Sequence, residues 1–171
     1  NEKLSVNTVS DYIGYCKDAF IVNEAKRYDV KGKHYFDYPN KYYYMDVGLR
    51  NALLNFRQID PGHLMENVIY NELISRGYSV DVGVVVDRRS GEKIKKEIDF
   101  VVNDGDKRLY IQSAWTMNTN EKIEAELDSL KLAKDFFAKI VVQNDIPETF
   151  RDNDGILHMK LIDFLLTPNI F

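Results

Sequence analysis

The sequence predicts an α/β fold in which a mixed sheet is flanked by helices. Three observations support this prediction, and all of them come from the chain after residue 60. Apolar residues recur at helical spacing over 62–76 and 120–137, whereas apolar and polar residues alternate over 78–87. Short turns rich in Gly, Asn and Asp separate the strand segments. One helix, three antiparallel strands, a second helix and a further strand therefore follow one another, which is typical of a sheet packed against helices.

The first third of the chain predicts a helix followed by a hairpin. Ser5 is a suitable N-cap, because its side chain can accept a hydrogen bond from the first helical turn. The helix after it carries an apolar stripe formed by Val6, Val9, Ile13, Cys16 and Phe20. A strand begins at 20–22, a basic turn occupies 31–33, and a second strand returns over 34–38. This order is that of the second half of a winged-helix unit, so we predict a partial winged helix with a connector over 1–58.

The remaining elements are predicted from the same patterns. A strand over 42–45 and a short helix from Asp46 or Gly48 to Leu54 complete the first part. The second part, residues 59–171, is predicted to be one α/β domain. Its elements are helices over 62–76, 120–137 and 161–166 and strands over 78–87, 93–102, 107–114, 139–143 and 157–160.

Composition restricts the classes of protein to which the chain can belong. Of the 171 residues, 44% are hydrophobic, which is enough for one sizeable core. No apolar run reaches the roughly 18 residues that a membrane span requires, so an integral membrane protein is excluded. A single cysteine, Cys16, excludes an internal disulfide framework and a thiolate-rich zinc site. We therefore expect a cytoplasmic protein with no membrane partner.

Charge and the first residue give two further expectations. The chain has 23 basic and 27 acidic residues and a net charge of −4. A generally cationic surface for nucleic acid is therefore not expected, but the net charge does not exclude a local basic patch. The chain begins at Asn1 without a methionine, from which we expect a part of a longer protein.

Two carboxylates in the helix over 62–76 lie among apolar residues. At about 100° per residue, Glu66 and Glu72 fall on arcs that are otherwise occupied by apolar side chains. A buried carboxylate costs several kcal/mol unless it is paired, hydrogen-bonded or bound to a metal ion. A salt bridge to a Lys or Arg is one interpretation of each carboxylate, and a site for a cation is the other.

A second group of acids lies on the strand over 93–102. Alternation places Glu97 and Asp99 on one face and Ile98 on the other, together with Phe100. A four-residue turn after this strand would place Gln112 beside Glu97 and diagonal to Asp99. The strand acids are then either solvated or part of a site in which Glu66, Asp99 and Gln112 converge. Three oxygen ligands of this kind suit Mg²⁺, with Glu66 and Asp99 as the metal-ligating carboxylates.

Several segments together resemble a known family. The chain resembles the C-terminal part of a large group of prokaryotic AAA-type ATPases, in which an ATPase module is followed by a winged helix and an uncharacterised domain. The resemblance of the uncharacterised domain is carried by residues 62–73, 76–78, 96–101, 110–112, 154–156 and 162–166, and that of the winged helix by residues 4–13 and 41–50. It covers nearly the whole chain. The resemblance implies a restriction-endonuclease-like fold of the PD-(D/E)xK type, preceded by a partial winged helix.

The resemblance also implies roles for particular residues. In active members, a helix Glu, a strand Asp and a Glu-x-Lys motif hold Mg²⁺ and activate water for phosphodiester hydrolysis. Glu66 matches the helix acid and Asp99 the strand Asp, whereas Gln112, Ser113 and Ala114 stand where Glu-x-Lys is expected. Ala114 cannot replace a lysine that polarises water or phosphate. The resemblance therefore implies a catalytically degenerate site in which Mg²⁺ is the one candidate cofactor.

A basic hairpin is the candidate surface for nucleic acid. Its residues are Arg88, Arg89, Lys93, Lys95 and Lys96, and Lys107 and Arg108 extend it on the next turn. Such a patch could follow a phosphate backbone, and a solvated hairpin without a ligand is the alternative.

Three functions follow from these features. The first is an accessory module of an AAA-type ATPase that binds DNA or its own N-terminal ATPase domain. The second is a Mg²⁺-dependent deoxyribonuclease that uses Glu66, Asp99 and Gln112, and the third is a purely structural interaction domain. No G-x-x-x-x-G-K-[ST] motif occurs in the chain, so ATP would bind only in an N-terminal part of the longer protein.

Overall fold

A computed structural model describes residues 5–37, 39–57, 59–87 and 91–171 of the chain. The helices are α1 (Val6–Asp18), α2 (Val47–Leu53), α3 (Pro61–Ser75), α4 (Asn120–Leu132) and α5 (Leu161–Leu166). The strands are β1 (Val22–Ala25), β2 (Arg27–Asp29), β3 (His34–Tyr35), β4 (Lys41–Tyr44), β5 (Ser79–Asp87), β6 (Ile94–Asp104), β7 (Lys107–Ala114), β8 (Ala138–Gln143), β9 (Phe150–Arg151) and β10 (Leu157–Lys160). None of the helices found in these ranges has the length and apolar character needed to cross a bilayer.

The strands form one large mixed sheet and one small ribbon. The large sheet has eight strands in the order β3-β2-β5-β6-β7-β8-β10-β9, and the ribbon pairs β1 with β4. Neighbours β5, β6 and β7 are antiparallel, whereas β8 is parallel to both β7 and β10. The predicted α/β fold with a mixed sheet and flanking helices is confirmed.

The core is divided between the two faces of the large sheet. On one face, α3 and α5 bury Ile69, Leu73 and Phe164 against β-strand residues such as Phe100. On the other face, α4 contributes Leu130, among others, to a second cluster of buried side chains. The sheet is therefore covered on both sides, as expected for an α/β domain.

The first part of the chain differs from the predicted partial winged helix in its pairing. The predicted hairpin is present as β2 and β3, but β2 also pairs in parallel with β5, through the register Arg27 to Val82. The hairpin is therefore the edge of the large sheet rather than a free wing. The strand that begins near residue 22 pairs with β4 and not with the strand after the basic turn. Residue 38, at the end of the predicted return strand, lies outside the described residues.

Several local predictions agree with the structure. The side chain of Ser5 accepts a hydrogen bond from the backbone N–H of Thr8 and caps α1, and that of Asp46 caps α2 in the same way. In contrast, α4 is shorter than predicted and ends at Leu132, so Phe136 and Phe137 lie beyond the helix. A cap depends on a few neighbouring residues, which is why the starts of α1 and α2 were predictable.

A β-bulge breaks the predicted alternation in β6. Asp81 of β5 lies opposite Val101, but Gly83 lies opposite Ile98, so two residues of β6 oppose one residue of β5. Ile98 and Phe100 consequently point into opposite core clusters, and the prediction that they share a face is wrong. A Cβ atom on Gly83 would lie 2.9 Å from the Cβ of Ile98, so glycine permits the close approach at the bulge.

The turn between β6 and β7 is also shorter than predicted. Asp104 pairs with Lys107, which leaves two residues in the turn, and Gly105 has a positive φ of 61°. Residue Phe100 therefore pairs with Ile111. The register is shifted by two residues from the prediction, and Gln112 lies beside Asp99 instead of Glu97.

Candidate functional site

Two buried carboxylates form the centre of the candidate site. Glu66 comes from the middle of α3 and Asp99 from the bulge in β6, and their relative exposures are 9% and 8%. The bulge matters because it changes the direction of the Asp99 side chain relative to its neighbours. The two acids interact electrostatically, since the charge of Glu66 raises the pKa of Asp99. The structure thus brings together the helix acid and the strand acid that the sequence singled out.

Two residues of β4 contact Glu66 and were missed by the sequence analysis. The Nζ atom of Lys41 lies 2.5 Å from Oε1 of Glu66, and the hydroxyl of Tyr43 donates a hydrogen bond of 2.6 Å to the same oxygen. The ring of Tyr43 stacks on that of Tyr70 with 4.0 Å between centroids, which fixes its position. Lys41 and Tyr43 share a face of β4 because residues two apart on a strand point the same way.

Lys41 is the cation of the site. Burial by itself would lower the pKa of the Lys41 ammonium, but the charges of Glu66 and Asp99 outweigh burial, and the pKa is raised. Lys41 therefore remains protonated and supplies a permanent positive charge to the two acids. The carboxylate of Glu66 therefore forms a salt bridge to a lysine, which is one of the two interpretations of its sequence position.

Asp99 has the most perturbed carboxyl group of the site. Burial and the nearby charge of Glu66 raise its pKa to about 8, against the opposing effects of Lys41 and of the backbone N–H of Ser113. That N–H donates a hydrogen bond of 2.8 Å to Oδ2 of Asp99. Burial beside Glu66 thus favours the protonated form of Asp99, and a divalent cation that binds there has to displace this proton.

Gln112 is next to Asp99, but its side chain is engaged elsewhere. Its Oε1 accepts hydrogen bonds from the backbone N–H of Asp99, at 3.3 Å, and from Oγ of Ser129, at 3.4 Å. Its Nε2 donates to Oε2 of Glu126 at 3.1 Å. Because Ser129 and Glu126 belong to α4, these bonds hold the amide on the side of α4. Glu97, which was predicted beside Gln112, forms an ion pair with Arg27 instead.

This donor set does not fit the Mg²⁺ that the resemblance implies. One oxygen of Glu66 already contacts an ammonium and a hydroxyl, one oxygen of Asp99 accepts a backbone hydrogen bond, and the oxygen of Gln112 accepts two hydrogen bonds. Across the part of the chain that the structure describes, no group of three or more His, Cys, Asp or Glu residues is arranged to hold a metal ion. Mg²⁺ keeps several waters and needs only one or two carboxylates, so the misfit lies in the contacts that already occupy these oxygens and not in their number.

The second helix acid is paired as well. Oε1 of Glu72 lies 2.8 Å from Nε of Arg76, one turn later on the same helix. Arg76 also donates to the backbone oxygen of Phe164 in α5. Glu72 is therefore part of the packing between α3 and α5, which agrees with the salt-bridge interpretation of its sequence position.

The predicted basic hairpin does not form one surface in the described residues. Lys95 lies over the ring of Phe36, with Nζ 4.7 Å from its centroid, whereas Lys96 forms an ion pair with Asp128 of α4. Adjacent strand residues point to opposite faces, so these two lysines are separated by the sheet. Lys93 is exposed. Arg88 and Arg89 lie outside the described residues. The predicted extension by Lys107 and Arg108 is wrong, since the turn that carries them is at the opposite end of β6.

Comparison with known proteins identifies two families of unknown function along the chain. Residues 61–162 match a family described as Domain of unknown function (DUF4143). The chain belongs to the DUF4143 family. Residues 1–60 match a second family, described as Domain of unknown function (DUF8612). No solved structure matches the chain.

A longer relative of this DUF4143 chain is an uncharacterized protein of Haemophilus influenzae (strain ATCC 51907 / DSM 11121 / KW20 / Rd). The two are 35% identical over 162 residues, which is 95% of this chain and 38% of the relative. The chain therefore spans well under half the length of the relative. The acids Glu66 and Asp99 lie in the DUF4143 match, whereas Lys41 and Tyr43 lie in the DUF8612 match. The candidate site is thus assembled from both regions.

Proposed function

We propose that this DUF4143 chain is a catalytically degenerate, nuclease-like accessory module of a larger AAA-type ATPase, and that it binds the rest of that protein through α1. The single observation that carries the proposal is the exposure of α1. This helix of 13 residues contains no buried residue, and Val6 and Val9 of its apolar stripe are 85% and 44% exposed. An amphipathic helix normally buries its apolar stripe, so an uncovered stripe indicates an interaction surface.

The occupant of this surface is the additional chain of the larger protein. The relative is more than twice as long as the aligned region, so a large part of it is outside the chain described here. The resemblance to AAA-type ATPases, in which an ATPase module precedes this region, supports an ATPase module as that additional part. Both ends of α1 have a cap, since Ser5 accepts from the N–H of Thr8 and the N–H of Ala19 donates to carbonyls of the last turn. Within the described ranges, Ile13 and Cys16 of the stripe are half-buried, whereas Val6 and Val9 are left exposed.

Hydrogen–deuterium exchange on the full-length protein and on the 171-residue chain tests this proposal. We expect the amides of α1 to exchange at least ten times more slowly in the full-length protein, because a packed helix opens less often. The amides of α4, which is covered by the sheet in both proteins, are the control and should not change. Equal exchange of α1 in the two proteins would contradict the proposal.

Loss of catalysis is supported by the contacts of Lys41 and Gln112, which leave the two acids without a free set of oxygen ligands.

The alternative, a Mg²⁺-dependent deoxyribonuclease, is favoured by the burial of Glu66 and Asp99 in one cluster beside an ammonium. Incubation with supercoiled plasmid and 10 mM Mg²⁺ or Mn²⁺ separates the two. We expect intact plasmid. Cleavage that disappears in Asp99→Ala would establish the alternative instead.

A further inference from the structure

A cationic cleft lies at the end of the large sheet that carries the turn between β6 and β7. It has a volume of about 270 Å³ and is bounded by the β2–β3 turn, the β6–β7 turn and the segment after α4. Three of its lining residues are basic and one is acidic, and these are Lys33, Lys107, Arg108 and Asp106. We refer to it as the Arg108 cleft. It is at the opposite end of β6 from the predicted basic hairpin.

The guanidinium of Arg108 is held in place by aromatic rings. Its central carbon lies 4.9 Å from the ring centre of Tyr28 and 5.5 Å from that of Phe137. Nε donates a hydrogen bond of 2.7 Å to Oδ1 of Asn103, and Nη1 donates one of 3.3 Å to the hydroxyl of Tyr28. A guanidinium fixed in this way loses little further entropy when it binds an anion.

The cations of the cleft form no close ion pair in the described residues, although the charge of Arg108 acts on the buried Asp81 and opposes the burial that raises the pKa of that carboxyl. Lys33, Lys107 and Arg108 form no ion pair with any carboxylate there, whereas Lys41 and Lys96 each do. The lining residues, three cations and one acid, carry a formal excess of two positive charges. Unpaired charges of one sign in a concave surface concentrate the electrostatic potential and attract an anion.

An aromatic side chain on the segment after α4 adjoins these charges. Phe137 lines the cleft and is 41% exposed, and its neighbour Phe136 is fully exposed. Exposed aromatic rings beside cations are the arrangement on which nucleic-acid bases stack while their phosphates are neutralised. We propose that the Arg108 cleft binds a nucleotide, free or within a single strand, with its phosphate at Arg108 and its base on Phe136 or Phe137. This inference goes beyond the proposed function and does not depend on α1 or on the buried acids.

Fluorescence anisotropy with a labelled ten-nucleotide oligo-dT across a salt series tests the cleft. We expect a dissociation constant of about 10–100 µM at low salt and a log–log salt slope of about −2, as for three neutralised phosphates. The double variant Lys33→Gln, Lys107→Gln should bind at least about tenfold more weakly, and the magnitude of its salt slope should fall by about 1.4. The matched control Lys93→Gln, Lys95→Gln removes the same charge at the other end of β6 and should change the affinity less than twofold.

Phe136→Ala tests the stacking surface, and it leaves the fold intact because the side chain is fully exposed. We expect a loss of about fivefold or more in affinity for the oligonucleotide. Competition then separates the sources of the nucleotide. If AMP displaces the probe as well as unlabelled oligo-dT does, the cleft binds free nucleotides, and if oligo-dT is at least tenfold better it binds a strand. Equal losses in the two lysine variants, equal displacement by inorganic phosphate and AMP, or no saturable binding at 1 mM protein would overturn the proposal.

Discussion

At the scale of single residues, the buried cluster of Lys41, Tyr43, Glu66 and Asp99 dominates the chemistry of the molecule. Glu66 is paired with Lys41 and Tyr43, whereas Asp99 accepts from the backbone N–H of Ser113 and is stabilised in its charged form by Lys41. Removing one partner from a buried pair leaves the other charge uncompensated, which costs more than the pair itself contributes.

Replacing Lys41 is expected to destabilise the fold. Lys41→Met removes the cation beside Glu66, and the Lys41 side chain is partly exposed, so we expect a loss of about 2 kcal/mol in the free energy of unfolding. Lys131→Met is the matched control, because Lys131 pairs with Asp154 at the surface and its loss should cost under about 1 kcal/mol. Urea unfolding measures both. Equal effects of the two changes would show that the buried pair has no special importance.

Asp99 makes stability depend on pH in a defined direction. Its pKa is about 8 in the folded protein and near the ordinary value of 3.8 when unfolded, so the folded state holds an extra proton between these values. Stability therefore falls as the pH rises from about 4 to about 8. We expect Asp99→Asn, which removes this titration, to gain stability relative to the wild type over that range. Chemical denaturation at pH 5 and pH 8 checks this, and a constant difference between the two proteins would contradict it.

At the scale of elements, helix starts were predicted correctly from neighbouring residues, whereas the register of the strands was not. Helix starts depend on a capping side chain a few residues away, and α1 and α2 begin where Ser5 and Asp46 predict. Strand register depends on turn length and bulges, and a change of one or two residues alters which side chains meet. The bulge opposite Gly83 and the two-residue turn at Gly105 decided the neighbours of Asp99 and Gln112.

A methyl group at the bulge should disturb β5 and β6. In Gly83→Ala the new Cβ would lie 2.9 Å from atoms of Ile98 and Val101, so we expect a loss of about 1–3 kcal/mol. Gly14→Ala in α1 is the control, because nothing lies within 4 Å of the added carbon and alanine favours a helix by about 0.5–1 kcal/mol. The two changes should therefore shift the midpoint of thermal unfolding in opposite directions. A shift of the same sign would argue against the tight packing at the bulge.

At the scale of the whole molecule, the two family regions form one structure. β2 from the first region extends the sheet of the second, and Lys41 compensates an acid of the second. The β1–β4 ribbon also packs on α3, with Tyr43 in the same core cluster as Ile69. The first region is therefore part of the fold that supports the candidate site.

Removal of residues 1–60 should prevent stable folding of the remainder. The truncation uncovers the edge of β5 and leaves Glu66 without Lys41, and exposed edges promote aggregation. We expect the remaining 61–171 fragment to aggregate or to lack a cooperative thermal transition by circular dichroism. Removal of 1–19 alone is the control, because α1 buries no residue, and that chain should stay folded. A monomeric, cooperatively folding 61–171 fragment would contradict the expectation.

The sequence by itself determined the fold class, most helices and the two acids of the candidate site. Helical spacing, strand alternation and capping are properties of neighbouring residues, and a carboxylate on an apolar arc is visible without any tertiary information. Tertiary structure decided the partners of those acids. Lys41 is 25 residues from Glu66 in the chain and 58 from Asp99, and no local pattern links them. They meet because the β1–β4 ribbon packs on α3, and because the bulge in β6 turns Asp99 toward the same buried cluster.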